Sequence, residues 1–253
     1  MKNILVTGFG RIIEDVKIIT LDRPHRKNAI GKNMIKELQD VINELKKLDA
    51  RAVVVHSAIE NVFSAGADLH ERLEMNENEV VAFVTLLRET FTQLEELKMP
   101  TIACINGTAL GGGLELALAC DLRIARKEAK MGLPETNLAI IPGAGGTQRL
   151  SRLIGTAKAK ELIFLGKILD GRRAADIGLV NEFVEGDVFE KGLLIGPIAI
   201  RAAKAAIAEA ANVDINTGLK IEGHCYEKTV PTEDRLEGLK SFQESRSPQY
   251  TGK

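Results

Sequence analysis

No stretch of this 253-residue chain stays apolar for the roughly 18–20 residues that a membrane span needs. Charge of one sign is not in excess either. The 34 Lys and Arg stand against 35 Asp and Glu, a net −1, so nothing global favours nucleic acid or an anionic surface as partner. Cysteine is scarce. Cys104, Cys120 and Cys225 are odd in number, widely spaced and set among apolar residues, a pattern that argues against a disulfide framework or a zinc site and for buried thiols in a reducing compartment. His25, His56, His70 and His224 have no ligand spacing, so no metal is expected. The opening MKNILVTGFGRIIEDVKIITLDRP has few positive charges and no long apolar core, and reads as strand and turn in place of a signal or transit peptide. Internal sequence repeats and low-complexity linkers are missing as well.

What is present alternates. EDVKIITLD (14–22), AVVVHS (52–57), TIACIN (101–106) and DLRIA (121–125) have the β-branched, apolar character of strands. Between them, Ile30, Met34, Ile35, Leu38, Val41, Ile42, Leu45 and Leu48 recur at helical spacing, and residues 77–98 read as a helix that Pro100 ends. This order predicts an α/β architecture with parallel pairing. From about residue 144 the chain reads as mostly helical, with one strand-like stretch at LVNEFV (179–184). The expected organisation is an α/β core over 1–195 and a helical region over 196–253.

Chemistry concentrates in three stretches. ALGGGLELALACD (109–121) sets three glycines before an apolar helix that carries Glu115 in its first turn. Such a turn presents unpaired N–H groups and the positive end of a helix dipole to a phosphate or a developing oxyanion. The phosphate reading lacks its signatures, since there is no Gly-Lys-Ser/Thr ending and no Gly-x-Gly-x-x-Gly. That leaves an oxyanion site or a plain tight turn. FSAGADLHE (63–71) is a second turn of small residues, able to offer another N–H near Ala67, and MGLPETNLAIIPGAGGTQRL (131–150) holds a second acid, Glu135, after Pro134. Apolar surroundings raise a carboxyl pKa by desolvation, and two tuned acids can divide one proton donation and one abstraction between them.

These three stretches resemble the enoyl-CoA hydratase/isomerase (crotonase) superfamily in order and spacing, from about residue 12 to the C-terminus. AKELIF, TEDRLEGL and SFQESRSPQYTGK are most similar to the branch that hydrates 3-methylglutaconyl-CoA and is also known for binding AU-rich RNA. The resemblance implies a spiral of ββα units, with C-terminal helices that pack trimers and often hexamers. It implies an acyl-CoA substrate, no cofactor beyond the coenzyme A of that substrate, and a mitochondrial matrix location, the cytoplasm being the alternative. It places an oxyanion hole at the amides of Ala67 and Gly112, beside Gly111. Glu115 and Glu135 would hold one water for syn addition, with the Gly143 backbone helping to position it. Lys27, Ala29, Ala65, Asp68 and Leu69, with Pro134, match segments that grip the substrate. An isomerase could share the hole, but a pair of acids favours hydration. RNA binding would fall on residues 26–47, where Lys27, Lys32, Lys36, Lys46 and Lys47 mix with Glu37, Asp40 and Glu44. Such a mixture marks a solvated helix face. One departure stands out: between EGD (185–187) and GPIAIRAAK (196–204), only VFEKGLLI remains where the family has a longer helical stretch.

Overall fold

In the computed structural model, residues 4–8, 16–186 and 197–253 are described; the shortened VFEKGLLI segment lies outside them. In chain order the elements are β1 (Ile4–Gly8), β2 (Val16–Leu21), α1 (Lys32–Leu45), β3 (Ala52–Ser57), β4 (Val62–Ser64), α2 (Leu69–Leu73) and α3 (Glu77–Glu95). Next come β5 (Thr101–Ile105), β6 (Thr108–Leu110), α4 (Gly112–Leu118), β7 (Leu122–Arg126), β8 (Met131–Gly132), α5 (Gly146–Ile154) and α6 (Thr156–Phe164). The remainder is β9 (Ile168–Leu169), α7 (Gly171–Asp176), β10 (Glu182–Val184), α8 (Pro197–Glu209), α9 (Ile215–Glu227) and α10 (Glu233–Gln243). The chain divides into two compact units, Met1–Leu97 with Thr101–Gly192, and Lys98–Pro100 with Leu193–Lys253.

In the larger unit the strands form a six-stranded sheet, in the order β1-β2-β3-β5-β7-β10, and a four-stranded sheet, β4-β6-β8-β9. The β2, β3, β5, β7 and β10 neighbours are parallel, while β1 runs antiparallel to β2. Three successive stretches, β3-β4-α2, β5-β6-α4 and β7-β8-α5, each give one strand to each sheet and then a helix. This is the spiral of ββα units that the resemblance implied. The repeat is structural, with no trace of it in the residues themselves. The strands of the first sheet are the apolar runs read from the sequence, and all of β5 is buried. The strands of the second sheet are two or three residues long, too short to carry a period.

α1 shows how an apolar stripe becomes packing. Met34, Ile35, Leu38, Ile42 and Leu45 are buried, while Leu48 falls beyond the helix and is 46% exposed. α4 is different, because Gly113, Leu114, Glu115, Leu116, Ala117 and Leu118 are all buried. A helix enclosed on every side has no solvent face on which to leave an acid.

The three glycines entering α4 have three separate causes. Gly111 has φ +50°, a conformation that side chains disfavour. A Cβ on Gly113 would lie 2.5 Å from the backbone oxygen of Ser64, so there the protein itself comes close. Only Gly112 faces the cavity described below. Gly113→Ala is expected to lower stability by about 1–3 kcal/mol, the usual cost of overpacking, despite alanine's better helix propensity. A urea midpoint unchanged from wild type would contradict that reading of the contact.

The smaller unit is helical. In it α8 packs against α9, and the buried Asp234 accepts hydrogen bonds from the Thr251 and Gly252 amides, which ties the C-terminal tail to α10. Cys104, Cys120 and Cys225 are all buried and form no disulfide with one another, as their surroundings suggested. Among the described residues there is no cluster of side chains that could hold a metal, and no helix is long and apolar enough to cross a membrane.

Candidate active site

The second sheet sets up the site. β4, β6 and β8 lie side by side and parallel, so the turns leaving their C-terminal ends emerge next to one another. Ligand sites in parallel sheets form at such ends. The turn after β4 carries Gly66 and Ala67, the turn after β6 carries Gly111 and Gly112, and the turn after β8 carries Pro134 and Glu135. The first two turns nearly touch: a Cβ on Gly66 would lie 2.5 Å from the Leu110 oxygen, and one on Gly112 would lie 3.8 Å from the Ala67 nitrogen. Both Ala67 and Gly112 line a cavity of about 650 Å³. Among the described residues, neither of their N–H groups has a protein acceptor. Two such donors, close together and facing a cavity, suit an oxygen that gains negative charge.

The segment RKNAI braces the first turn. The Ile30 amide donates to the Gly66 oxygen at 2.7 Å and the Ala65 amide to the Lys27 oxygen at 3.0 Å. Asn28 is fully buried at φ +53°, and its side chain donates to the Leu21 oxygen, the Ser57 hydroxyl and the Phe63 oxygen. Ser64 donates to the Asn28 oxygen at 2.7 Å and accepts from the Gly66 amide. Asp68 caps α2 and pairs with Arg23 at 2.8 Å. Burial works against its charge, but the Glu71 amide and Arg23 together hold its carboxyl below the usual range.

Both acids reach the same cavity. Glu115 is 3% exposed, and one of its oxygens, Oε1, accepts from the amides of Ala144 and Gly146, each at 2.8 Å. Burial still raises its pKa, opposed by those two amides and by the charges of Arg149 and Arg88. Arg88 in turn donates twice to the Gly143 oxygen, at 3.1 and 3.0 Å, and so holds the loop whose amides hold Glu115. Glu135 is partnered differently. Its Oε2 is buried with no hydrogen-bond partner. Burial pushes its pKa up to about 7, its own amide opposing that in part and the nearby charge of Glu115 adding a smaller rise.

A carboxyl whose pKa is raised on folding favours the protonated state. Its stabilising contribution is therefore whole below the ordinary value of 4.5 and is lost as pH rises toward about 7. The size is roughly 3 kcal/mol. Glu135→Gln removes that titration. The variant is expected to gain stability over wild type at pH 8 and to lose the advantage by pH 5; equal urea midpoints at both pH values would contradict the assignment.

Of the residues singled out in the sequence, Ala67, Leu69, Gly112, Glu115, Glu135 and Gly143 meet at the cavity. Gly111 and Pro134 stand in the turns behind it, as the residues preceding α4 and the short turn that begins at Glu135. Lys27, Ala29, Ala65 and Asp68 do not line it; the contacts of Lys27, Ala65 and Asp68 described above lie at the base of the Gly66–Ala67 turn, and the Ala29 oxygen accepts from Arg23 Nη1 at 2.8 Å. Sequence reasoning missed Arg72, Val84, Leu87 and Arg88, which reach the cavity from α2 and α3, and passed over Ile140 and Ile141. The last two left a trace, as adjacent apolar residues in a loop, and both are largely exposed. The arginines left none, because which side of a helix faces a pocket is a tertiary fact.

Comparison with known proteins places the chain in a family and a fold. Residues 11–253 match the family model described as enoyl-CoA hydratase/isomerase. The chain is 51% identical over 243 residues to a protein of Arabidopsis thaliana named "Probable enoyl-CoA hydratase 2, mitochondrial", covering 92% of this chain and 81% of that one. It is 48% identical over 250 residues to the human "Methylglutaconyl-CoA hydratase, mitochondrial", covering 94% and 74%. A crystal structure of an enoyl-CoA hydratase from Bacillus anthracis superposes with a TM-score of 0.92 at 45% identity, covering 99% and 100% of the two chains.

Proposed function

The chain belongs to the enoyl-CoA hydratase/isomerase family, and on that premise we propose that it adds water across the α,β double bond of an enoyl-CoA thioester. The observation that supports this best is the pair of acids facing the two free amides across one cavity. As water adds to the β carbon, negative charge builds on the thioester oxygen, and the N–H groups of Ala67 and Gly112 donate hydrogen bonds to it. Glu115 is the base. Two amides on its Oε1 favour the carboxylate and fix its orientation, leaving the other oxygen to take a proton from water. Glu135 has no donor to its buried Oε2 and holds a proton near neutral pH, so it supplies the α carbon. One proton passed from Glu115 back to Glu135 through solvent resets the pair.

An isomerisation needs one group to move a proton between two carbons. Here both acids are perturbed and neither is engaged elsewhere by an ion pair among the described residues, which favours hydration. The acyl group on this reading is 3-methylglutaconyl or a short unbranched enoyl chain. The relatives' names support the mitochondrion as one setting, where this reading would put the protein in the matrix and in leucine breakdown, and the bacterial neighbour supports the cytoplasm as the other. Leu236, Leu239 and Phe242 stand exposed along α10, an apolar row that a second copy would cover in a trimer or hexamer. The test of the function is loss of the conjugated-thioester absorbance of crotonyl-CoA on adding the protein. Steady loss supports the reading, and a flat trace with folded protein overturns it.

A further inference from the structure

One peptide unit joins Arg88 to the base. Arg88 extends from α3 and donates to the Gly143 oxygen from Nε at 3.1 Å and from Nη2 at 3.0 Å. That oxygen belongs to the same peptide bond as the Ala144 amide, which donates to Glu115 Oε1 at 2.8 Å. The bond is trans, so its C=O and N–H point in opposite directions. A cation therefore stands at one end of the unit and the carboxylate at the other. Hydrogen bonds in such a chain polarise one another, and a guanidinium on the carbonyl makes the N–H a stronger donor. Arg149 makes a similar contact one unit further on, with Nη1 3.0 Å from the Ala144 oxygen. Two features set it apart. The N–H of that unit is Gly145's, whereas Glu115 accepts from Ala144 and Gly146, and the charge of Arg149 is answered by Glu95 at 2.7 Å. Among the described residues, Arg88 forms no ion pair.

The loop does not need Arg88 for its packing. A Cβ on Gly143 would lie 2.7 Å from Val84 Cγ1, so Val84, one turn earlier on the same face of α3, already seats the loop. Arg88 itself is exposed. Water screens its field through space, and its influence on Glu115 travels along the hydrogen bonds. We propose that Arg88 is a positioning residue for hydration, which aligns the Glu115 carboxylate through the Gly143–Ala144 peptide and keeps it charged as the base. This rests on the hydratase reading and adds a residue to it. The other charges that bear on Glu115 are Glu135 after β8, Arg72 from α2 and Arg149 from α5. β4, β6 and the rest of α4, which pack around Glu115, carry no ionisable side chain. Of these groups, Arg88 alone has its donors on the peptide that binds Glu115.

The test is the pH dependence of kcat and KM for crotonyl-CoA in wild type, Arg88→Met, Arg88→Gln and Arg88→Lys. In Arg88→Met the maximal kcat should fall about tenfold, since a misplaced reacting group costs up to about 10²-fold, while KM stays within about twofold. The acid limb, on which the base becomes protonated, should move up by about one pH unit, because a charge that favours the carboxylate is gone. Arg88→Lys keeps a cation and a donor and should recover most of both effects. Arg88→Gln keeps a donor without the charge, so it should recover part of kcat and leave the limb displaced. If Arg88→Met does not fold, the glutamine and lysine variants carry the same comparison. A raised KM with kcat and the limb unchanged would assign Arg88 to substrate binding and overturn the proposal. An acid limb that stays in place in the glutamine variant would overturn it as well, and the hydratase reading would stand because wild type turns over. No turnover by wild type at any pH would remove the hydratase reading itself.

Discussion

Glu135→Gln is expected to lower kcat for enoyl-CoA hydration by about 10³-fold while leaving KM within a few-fold of wild type. The loss of a positioned general acid commonly costs 10²–10⁴-fold, and this position falls well inside that range for a structural reason. The carboxyl has no donor on its buried Oε2 and stays protonated up to about pH 7, so its proton is available to the substrate. Glutamine keeps the shape and the polarity but has no proton to give to carbon. Wild-type kcat/KM should fall about tenfold per pH unit above the apparent pKa, because the donor is then deprotonated. That value belongs to the coupled pair of acids and to neither one alone. The variant should lack this limb. Stopped-flow or steady-state rates between pH 5 and 9 would show it, and an unchanged alkaline limb in Glu135→Gln would place the proton elsewhere.

Glu115→Gln should be at least as damaging to kcat, while Glu115→Ala should add a loss of stability. The two effects separate because Glu115 has two jobs on two oxygens. Oε1 accepts from the Ala144 and Gly146 amides, and the carbonyl oxygen of glutamine can continue to do so. The free oxygen is the base, and an amide nitrogen cannot take a proton from water. Glutamine therefore keeps the loop and loses the chemistry, with an expected drop of about 10³-fold. Alanine leaves two buried amides without an acceptor, at a cost of about 2–4 kcal/mol. Rates measured beside urea midpoints would separate the two jobs. A glutamine variant as active as wild type would remove Glu115 from the mechanism, and an alanine variant as stable as wild type would remove it from the scaffold.

How much of this could be read from the residues depends on how far each feature reaches along the chain. β2, β3, β5 and β7 were visible because each is a run of five or six mostly β-branched or apolar residues. β4, β6, β8 and β9 were not, because strands of two or three residues exist only by pairing with one another. Yet it is this second sheet that brings Ala67, Gly112 and Glu135 together. The acids and the glycine turns were legible as motifs. The separate reasons for Gly111, Gly112 and Gly113 were not, because the Ser64 backbone that excludes a side chain at Gly113 lies far away in sequence. In RKNAI the expectation fell on Lys27 and Ala29, while the residue with the most buried contacts is Asn28, which combines a left-handed backbone with three side-chain donations. Asparagine tolerates that backbone better than most residues, so the signal was present but weak. Arg72 and Arg88 became visible only once α2 and α3 had turned toward the cavity.

The central claim is that the two acids deliver one water across a carbon–carbon double bond. The most direct measurement is the mass of the product formed from crotonyl-CoA in water enriched in oxygen-18. A product heavier than the substrate by one labelled water, with the label on the β-carbon hydroxyl, is the predicted result. A product of unchanged mass with its double bond moved would show an isomerase and contradict the account.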